Sequence, residues 1–349
     1  MNKSFAVCLL LLGAVIHPCL ARGIEGGRVM GKTSVGYEEN EYDETLLFLN
    51  LYLDSQLPLP RFKRLRGAFR LQNGIRIIEQ EENSLLNQAD LHCALPIVPQ
   101  LSSEILSELK HKTIRKDYGY IYWHSGLSVK YQGRNFLSSI TYLYHEKEYG
   151  DPNYSDSKNS EIQFLINHSF SSRLTAHVIG KVESIRFSED IEIIPSVATA
   201  DPNTRMADGE TTHKKRHDTL YEYSIGFQWI DAFLINVSYA LQKNESNSDL
   251  YSYSAQQLSI LAAIPLWWES TLQLYGRVQL RDLETVDIQD SDMFGEDSDD
   301  QLRNLLIISL SKDVLKNCSV ELRYLLSRAN LSSEHYKKQS YSCGFTWSF

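Results

Sequence analysis

Apolar and polar residues alternate with period two along most of this chain. From Tyr341 to Phe349 every odd position is aromatic or apolar, and every even one is small or polar. Successive side chains of a strand point to opposite faces, so such a segment has one greasy and one wet side. Residues 271–281 repeat the pattern, with Leu272, Leu274, Gly276, Val278 and Leu280 opposed to Thr271, Gln273, Tyr275, Arg277, Gln279 and Arg281. In 219–230 the apolar side is Tyr221, Tyr223, Ile225, Phe227 and Trp229. The same reading predicts strands over 120–131, 135–145, 161–170, 173–187, 232–242, 253–264, 302–311 and 319–328. With the closing segment this makes eleven strands of about ten residues.

The links between them alternate in length. Short ones fall at 132–134, 171–172, near Asp231, at 265–269 and at 312–317; long ones fall at 149–159, 188–216, 243–252, 283–301 and 329–338. All long links then lie at one end of the strands and all short ones at the other. A transmembrane barrel has this arrangement, with short periplasmic turns and long outer loops. Upstream, 45–53, 64–78 and 85–95 read as strands, broken at Pro58, Pro60, Pro96 and Pro99, while 102–112 has helix-like spacing. Both chain ends on one side require an even total. The expected fold is therefore an all-β, transmembrane antiparallel β-barrel of 12–14 strands, with 14 favoured.

At the N-terminus, Lys3 precedes an apolar run from Phe5 to Ile16, and Cys19-Leu20-Ala21 puts small residues where a signal peptidase cuts. The run is too short for a membrane helix. Cys19 follows His17-Pro18 rather than a small residue, so lipidation is not expected. Residues 1–21 are expected to be a signal peptide, 22–43 a periplasmic lead-in, and 44–349 the barrel. The closing strand, with Tyr341, Phe345, Trp347 and Phe349 on one face, resembles the C-terminal insertion strand of Gram-negative outer-membrane barrels. That resemblance implies a location in the cell outer membrane, with lipid, lipopolysaccharide and the barrel-assembly machinery as partners. The last 130 or so residues, with Asn/Ser loops and repeated Tyr, also resemble barrels of exopolysaccharide or surface-lipoprotein export proteins.

Composition fits a barrel. The 349 residues include 11% aromatics and 20 tyrosines, yet mean hydropathy is −0.31 because the two faces average out. A net charge of −9 argues against nucleic acid as a partner. Beyond residue 21 the cysteines are Cys93, Cys318 and Cys343, an odd number that makes no complete disulfide framework.

The wet faces collect Lys130, His124, His145, Lys181, Glu183, Glu222, Arg277, Arg281, Glu321 and Arg323. Charges facing lipid at mid-membrane cost roughly 2–4 kcal/mol each, so these belong inside. They form either an ion-pair lattice that closes the barrel or the lining of a water-filled pore. In the pore reading, Lys130, Lys181, Arg277, Arg281 and Arg323 favour anionic solutes. No CxxC, HExxH, P-loop or GxSxG motif occurs, and Trp123-His124-Ser125-Gly126 puts His and Ser on opposite faces. No catalytic residue, metal site or cofactor is expected. The acidic 283–300 segment reads as a solvated loop. Lys214, Lys215 and Arg216 re-enter a strand at the outer rim, where they suit lipopolysaccharide phosphates.

Two functions are open on this evidence: a channel or export component for small anionic or saccharide solutes, and a non-conducting structural, adhesive or assembly-partner barrel. Oligomeric state is not encoded legibly. Deleting Phe349, or Phe349→Asp, is expected to abolish assembly into the outer membrane while export across the inner membrane continues. Normal surface levels of the deletion, measured by protease accessibility on whole cells, would make the terminus incidental.

Overall fold

A computed structural model describes residues 28–39, 45–59, 65–78, 84–115, 118–150, 155–193, 212–248, 251–283, 304–330 and 335–348. The expected signal peptide and Phe349 lie outside them. The described residues form sixteen strands closed into one antiparallel barrel. They are β1 (Arg28–Glu39), β2 (Thr45–Pro58), β3 (Arg66–Ile78), β4 (Ser84–Val98), β5 (Leu101–Arg115), β6 (Tyr118–Gln132), β7 (Phe136–Tyr149) and β8 (Ser157–Ser169). There follow β9 (Leu174–Ile193), β10 (Thr212–Ile230), β11 (Leu234–Ser246), β12 (Tyr253–Leu266), β13 (Ser270–Leu283), β14 (Asn304–Leu315), β15 (Cys318–Asn330) and β16 (His335–Ser348). Each strand pairs with its neighbours in sequence, and β1 pairs with β16 to close the ring, from Met30↔Ser348 to Glu39↔Gln339. At this seam Trp347 sits opposite Gly31, and a Cβ on Gly31 would run into the indole.

The eleven strands expected from residue 120 onward are β6 to β16. The N-terminal third departs from expectation, giving sixteen strands rather than 14. Residues 22–43 are not a lead-in, because β1 occupies 28–39. Its outward positions include Gly31 and Thr33 beside Val35 and Tyr37, too weak an apolar face to betray a strand. The helix expected at 102–112 is strand β5. Ile105 and Leu109 stand four apart, a spacing that shares a face in a helix and in a strand alike. Ladders to β4 and β6 decide between the two. Pro58 ends β2 and Pro99 lies in a turn, but Pro96 lies inside β4, beside a register shift. The 188–216 link is also shorter than expected, since β9 and β10 run on to Ile193 and from Thr212.

The barrel is inside out relative to a soluble protein. Leu127, Ile140, Tyr223 and Leu322 face outward and are exposed, whereas Ser128 and Asp218 are 1% exposed on the inner face. Without water, a lipid-facing strand must carry apolar side chains and leave no backbone edge unpaired. The strands joined through 150–156, 194–211, 247–252, 284–303 and 331–334 meet at one rim, and Arg28 and Ser348, where the described barrel begins and ends, lie at the other. At the loop rim, β9 pairs with β8 only as far as Ser157↔Phe187, and β10 with β11 only as far as Asp218↔Ser246. Beyond those points β9 and β10 continue as a two-stranded ribbon, with Asp190 opposite Lys215.

Heat-modifiable migration is the expected signature of the closed ladder: an unboiled sample runs differently from a boiled one, with β-rich circular dichroism. Quantitative recovery as a soluble periplasmic protein would refute a lipid-embedded barrel.

Candidate functional site: the charged lumen

Inward parity on each strand builds three stretches of lumen wall. Along β4 to β9 the carboxylates and cations pair off. Glu104 receives Lys130 at 2.5 Å and His92 at 3.1 Å, and His124 lies 3.6 Å from Glu108. Lys181 bridges Glu161 at 3.0 Å and Glu183 at 2.9 Å, and Asn159 donates to Glu183 at 2.9 Å. His145 completes the group, with Nδ1 2.9 Å from the Tyr122 hydroxyl and Nε2 3.6 Å from Glu161. The ligand atoms of His145, Glu161 and Glu183 lie within 4.8 Å of one another, a set that could hold a divalent cation. The Lys181 ammonium already occupies that role of counter-charge.

On β10 to β13 the wall is held by amides and aromatic rings. Gln242 donates to Glu222 at 3.0 Å, and Gln279 to Gln242 at 3.4 Å. Asp218 accepts from Arg216 at 2.5 Å, from the Ser246 hydroxyl at 2.6 Å and from Asn244 at 3.2 Å. The Arg216 guanidinium also lies 3.5 Å from the Tyr251 ring centre, and Arg281 lies 3.7 Å over Tyr253.

The third stretch, β14 to β16 and β1 to β3, encloses a recess of about 630 Å³ that contains Arg277 and Arg323. Lys32 pairs with Glu321 at 2.5 Å and Arg76 with Glu38 at 2.6 Å, and Arg76 covers the Phe48 ring at 4.7 Å. Arg70 clamps Asp54 through two hydrogen bonds of 2.9 and 2.5 Å.

All five expected pore residues therefore carry inward parity, but they do not form one site. Lys130 and Lys181 are locked in ion pairs, Arg277 and Arg323 share the recess, and Arg281 stacks on Tyr253. The three rim residues separate as well. Arg216 turns inward onto Asp218, so it is withdrawn from the expected lipopolysaccharide contact. Lys215 is exposed in an outer-face hollow with Lys158 and Arg186, and the Lys214 side chain lies outside the described residues. In the closing strand, Tyr341 and Phe345 are exposed outward, and Tyr341 stacks on Tyr37 at 4.9 Å. Lys32, Arg70, Arg76, His92 and Glu104 were not expected in the lumen. The even spacing of Glu104, Glu108, Lys110 and Lys112 is the one sequence signal that places charges on a common strand face.

Comparison with solved structures gives the same architecture. The OmpT outer membrane protein of Vibrio cholerae, folded in vitro, superposes with a TM-score of 0.52 at 10% identity, over 93% of this chain and 97% of that one. Its loop L8 deletion mutant gives 0.51 at 10% identity, over 93% and 99%. The outer membrane protein opdK of Pseudomonas aeruginosa gives 0.48 at 7% identity, over 93% and 100%. No protein-family model matches the chain, nor does any curated protein. The likeness to the Vibrio protein is one of fold: this chain is a closed antiparallel barrel of the outer-membrane type.

Lys181→Met is expected to lower the temperature of the gel-mobility transition, because two inward carboxylates lose their cation. Breaking a buried pair costs on the order of 3–5 kcal/mol, an upper limit where lumen water screens the charges. Adding Glu161→Gln and Glu183→Gln to the same chain should recover most of the loss. An unchanged transition in Lys181→Met would show that the cluster does not stabilise the barrel.

Proposed function

We propose that this protein is an outer-membrane channel through which small hydrophilic solutes diffuse, with a preference for anions. The observation that carries the reading is the strand number. About eight strands close around a side-chain-filled interior, whereas sixteen to eighteen leave an aqueous channel. Two stretches of the wall are polar lattices, and buried atoms such as Asn159 Oδ1 and Gln279 Oε1, without a partner among the described residues, suit a surface that water reaches. Arg277, Arg281 and Arg323 all carry inward parity on β13 and β15, and together they bias the lumen towards anions. A closed lattice that paired these arginines with Glu321, Glu183 and Glu222 gains no support, since Lys32, Lys181 and Gln242 engage those carboxylates. Lys215, beside Arg186 on the outer face, suits a lipopolysaccharide phosphate, while Lys158 in the same hollow is paired with Glu146 at 2.5 Å. The N-terminal 21 residues supply export and the aromatic closing strand supplies recognition by the assembly machinery.

Planar bilayers test this directly. Discrete conductance steps with an anion-selective reversal potential are expected. Replacing Arg277, Arg281 and Arg323 by Ser should remove that preference. A barrel that inserts, migrates as heat-modifiable and passes no current would favour a structural or adhesive role instead.

A further inference from the structure

We propose that the lumen recess around Arg323 is a binding subsite for a small monoanion with an aliphatic tail, such as a short-chain carboxylate. The argument starts from what the recess leaves unsatisfied. Of its charged groups, Glu321 is engaged by Lys32 and Glu38 by Arg76. Arg323 makes no ion pair or side-chain hydrogen bond among the described residues. A half-buried guanidinium presents a planar fork of donors that matches a carboxylate in two places. Four cations, Lys32, Arg76, Arg277 and Arg323, stand against two carboxylates, so the recess attracts an anion, and Glu38 and Glu321 nearby disfavour a highly charged one.

The rest of the recess fixes the other half of the ligand. Leu305, Ile307 and Leu325 face the lumen there, although the inner wall of a pore is ordinarily polar. Ile307 stands directly opposite Leu325, and Leu305 follows on the same face. Leu325 lies two residues from Arg323, roughly 6.6 Å along the strand, so the aliphatic patch begins where the guanidinium ends. Room for a solute comes from the neighbouring strand, where Ser340, Ser342 and Gly344 leave little side chain in the way. A volume of about 630 Å³ is in the range of small-molecule sites. A saccharide fits less well. Sugars bind on open aromatic faces, and of the two rings in this recess, Phe48 is covered by Arg76 and Tyr52 is set apart from the aliphatic patch on another strand.

The proposal rests on the channel reading for how the solute arrives, but its test separates the two. Chloride current through the wild-type barrel is titrated with hexanoate and, in parallel, with acetate, which carries the same charge without the tail. Hexanoate should half-block at a concentration at least tenfold below acetate. Arg323→Gln and Leu325→Ser, each checked for heat-modifiable folding, should each raise the hexanoate value fivefold or more. A conducting wild type on which the two acids act alike overturns the subsite and leaves the channel standing. A wild type that does not conduct overturns the channel. Equilibrium dialysis of labelled hexanoate against proteoliposomes then decides the subsite: saturable uptake lost in Arg323→Gln supports it, and uptake equal to that of empty liposomes refutes it.

Discussion

Ten consecutive pairs between β1 and β16, from Met30↔Ser348 to Glu39↔Gln339, turn a sheet into a cylinder. The other fifteen ladders would leave two rows of backbone donors and acceptors facing hydrocarbon, where each unmet group costs several kcal/mol. Closure therefore precedes everything else the barrel does. It fixes the strand number, the strand number fixes the bore, and the bore decides whether side chains can fill it. Small residues make the seam possible: Gly31 leaves space for Trp347, and Tyr37 and Tyr341 stack across the joint on the outer face.

Inside the cylinder, the distribution of charge is uneven. From β4 to β9 Lys130, His92 and Lys181 meet acids at hydrogen-bonding distance, with Lys181 shared by two carboxylates, while Lys110, Lys112 and Lys147 gather over the Tyr120 ring. This side behaves as a set of structural ties between strands. Across the lumen, Arg323 makes no such tie among the described residues, and Leu305, Ile307 and Leu325 line the recess with it. One half of the wall thus holds the barrel together while the other retains unspent binding capacity.

The eleven C-terminal strands were legible because each puts large apolar residues at every second position, Tyr221 to Trp229 being the clearest run. Residues 28–39 failed that test because their outward face is partly glycine and threonine; only pairing with both neighbours reveals them as a strand. Residues 102–112 misled for the opposite reason, since Ile105 and Leu109 satisfy two periodicities at once. Pro96 was read as a break, but a residue near a strand end beside a register shift can do without a ladder donor. Inward parity puts Lys130, Lys181, Arg277, Arg281 and Arg323 on the inner face of the barrel. It could not tell which were engaged, because partners such as Glu104 and Glu161, or the lack of one for Arg323 among the described residues, depend on neighbouring strands. Arg216 shows the same limit: a basic run looks like an outer patch until Asp218, two residues on, draws its guanidinium inward.

The ribbon formed by the ends of β9 and β10 gives the mouth a direction. A strand crosses the hydrocarbon with about 9–11 residues, and β9 has 20 and β10 has 19. The excess stands above the loop rim as a hydrogen-bonded blade rather than as a pliant loop, buttressed at its base by Arg216, Asp218 and Tyr251. On the other side of the opening, β3 to β4 and β5 to β6 are joined by brief links at 79–83 and 116–117. Among the described residues the rim is thus uneven, standing highest at the blade. On the channel reading, a bulky particle approaching from that side meets the blade before it meets the rest of the rim.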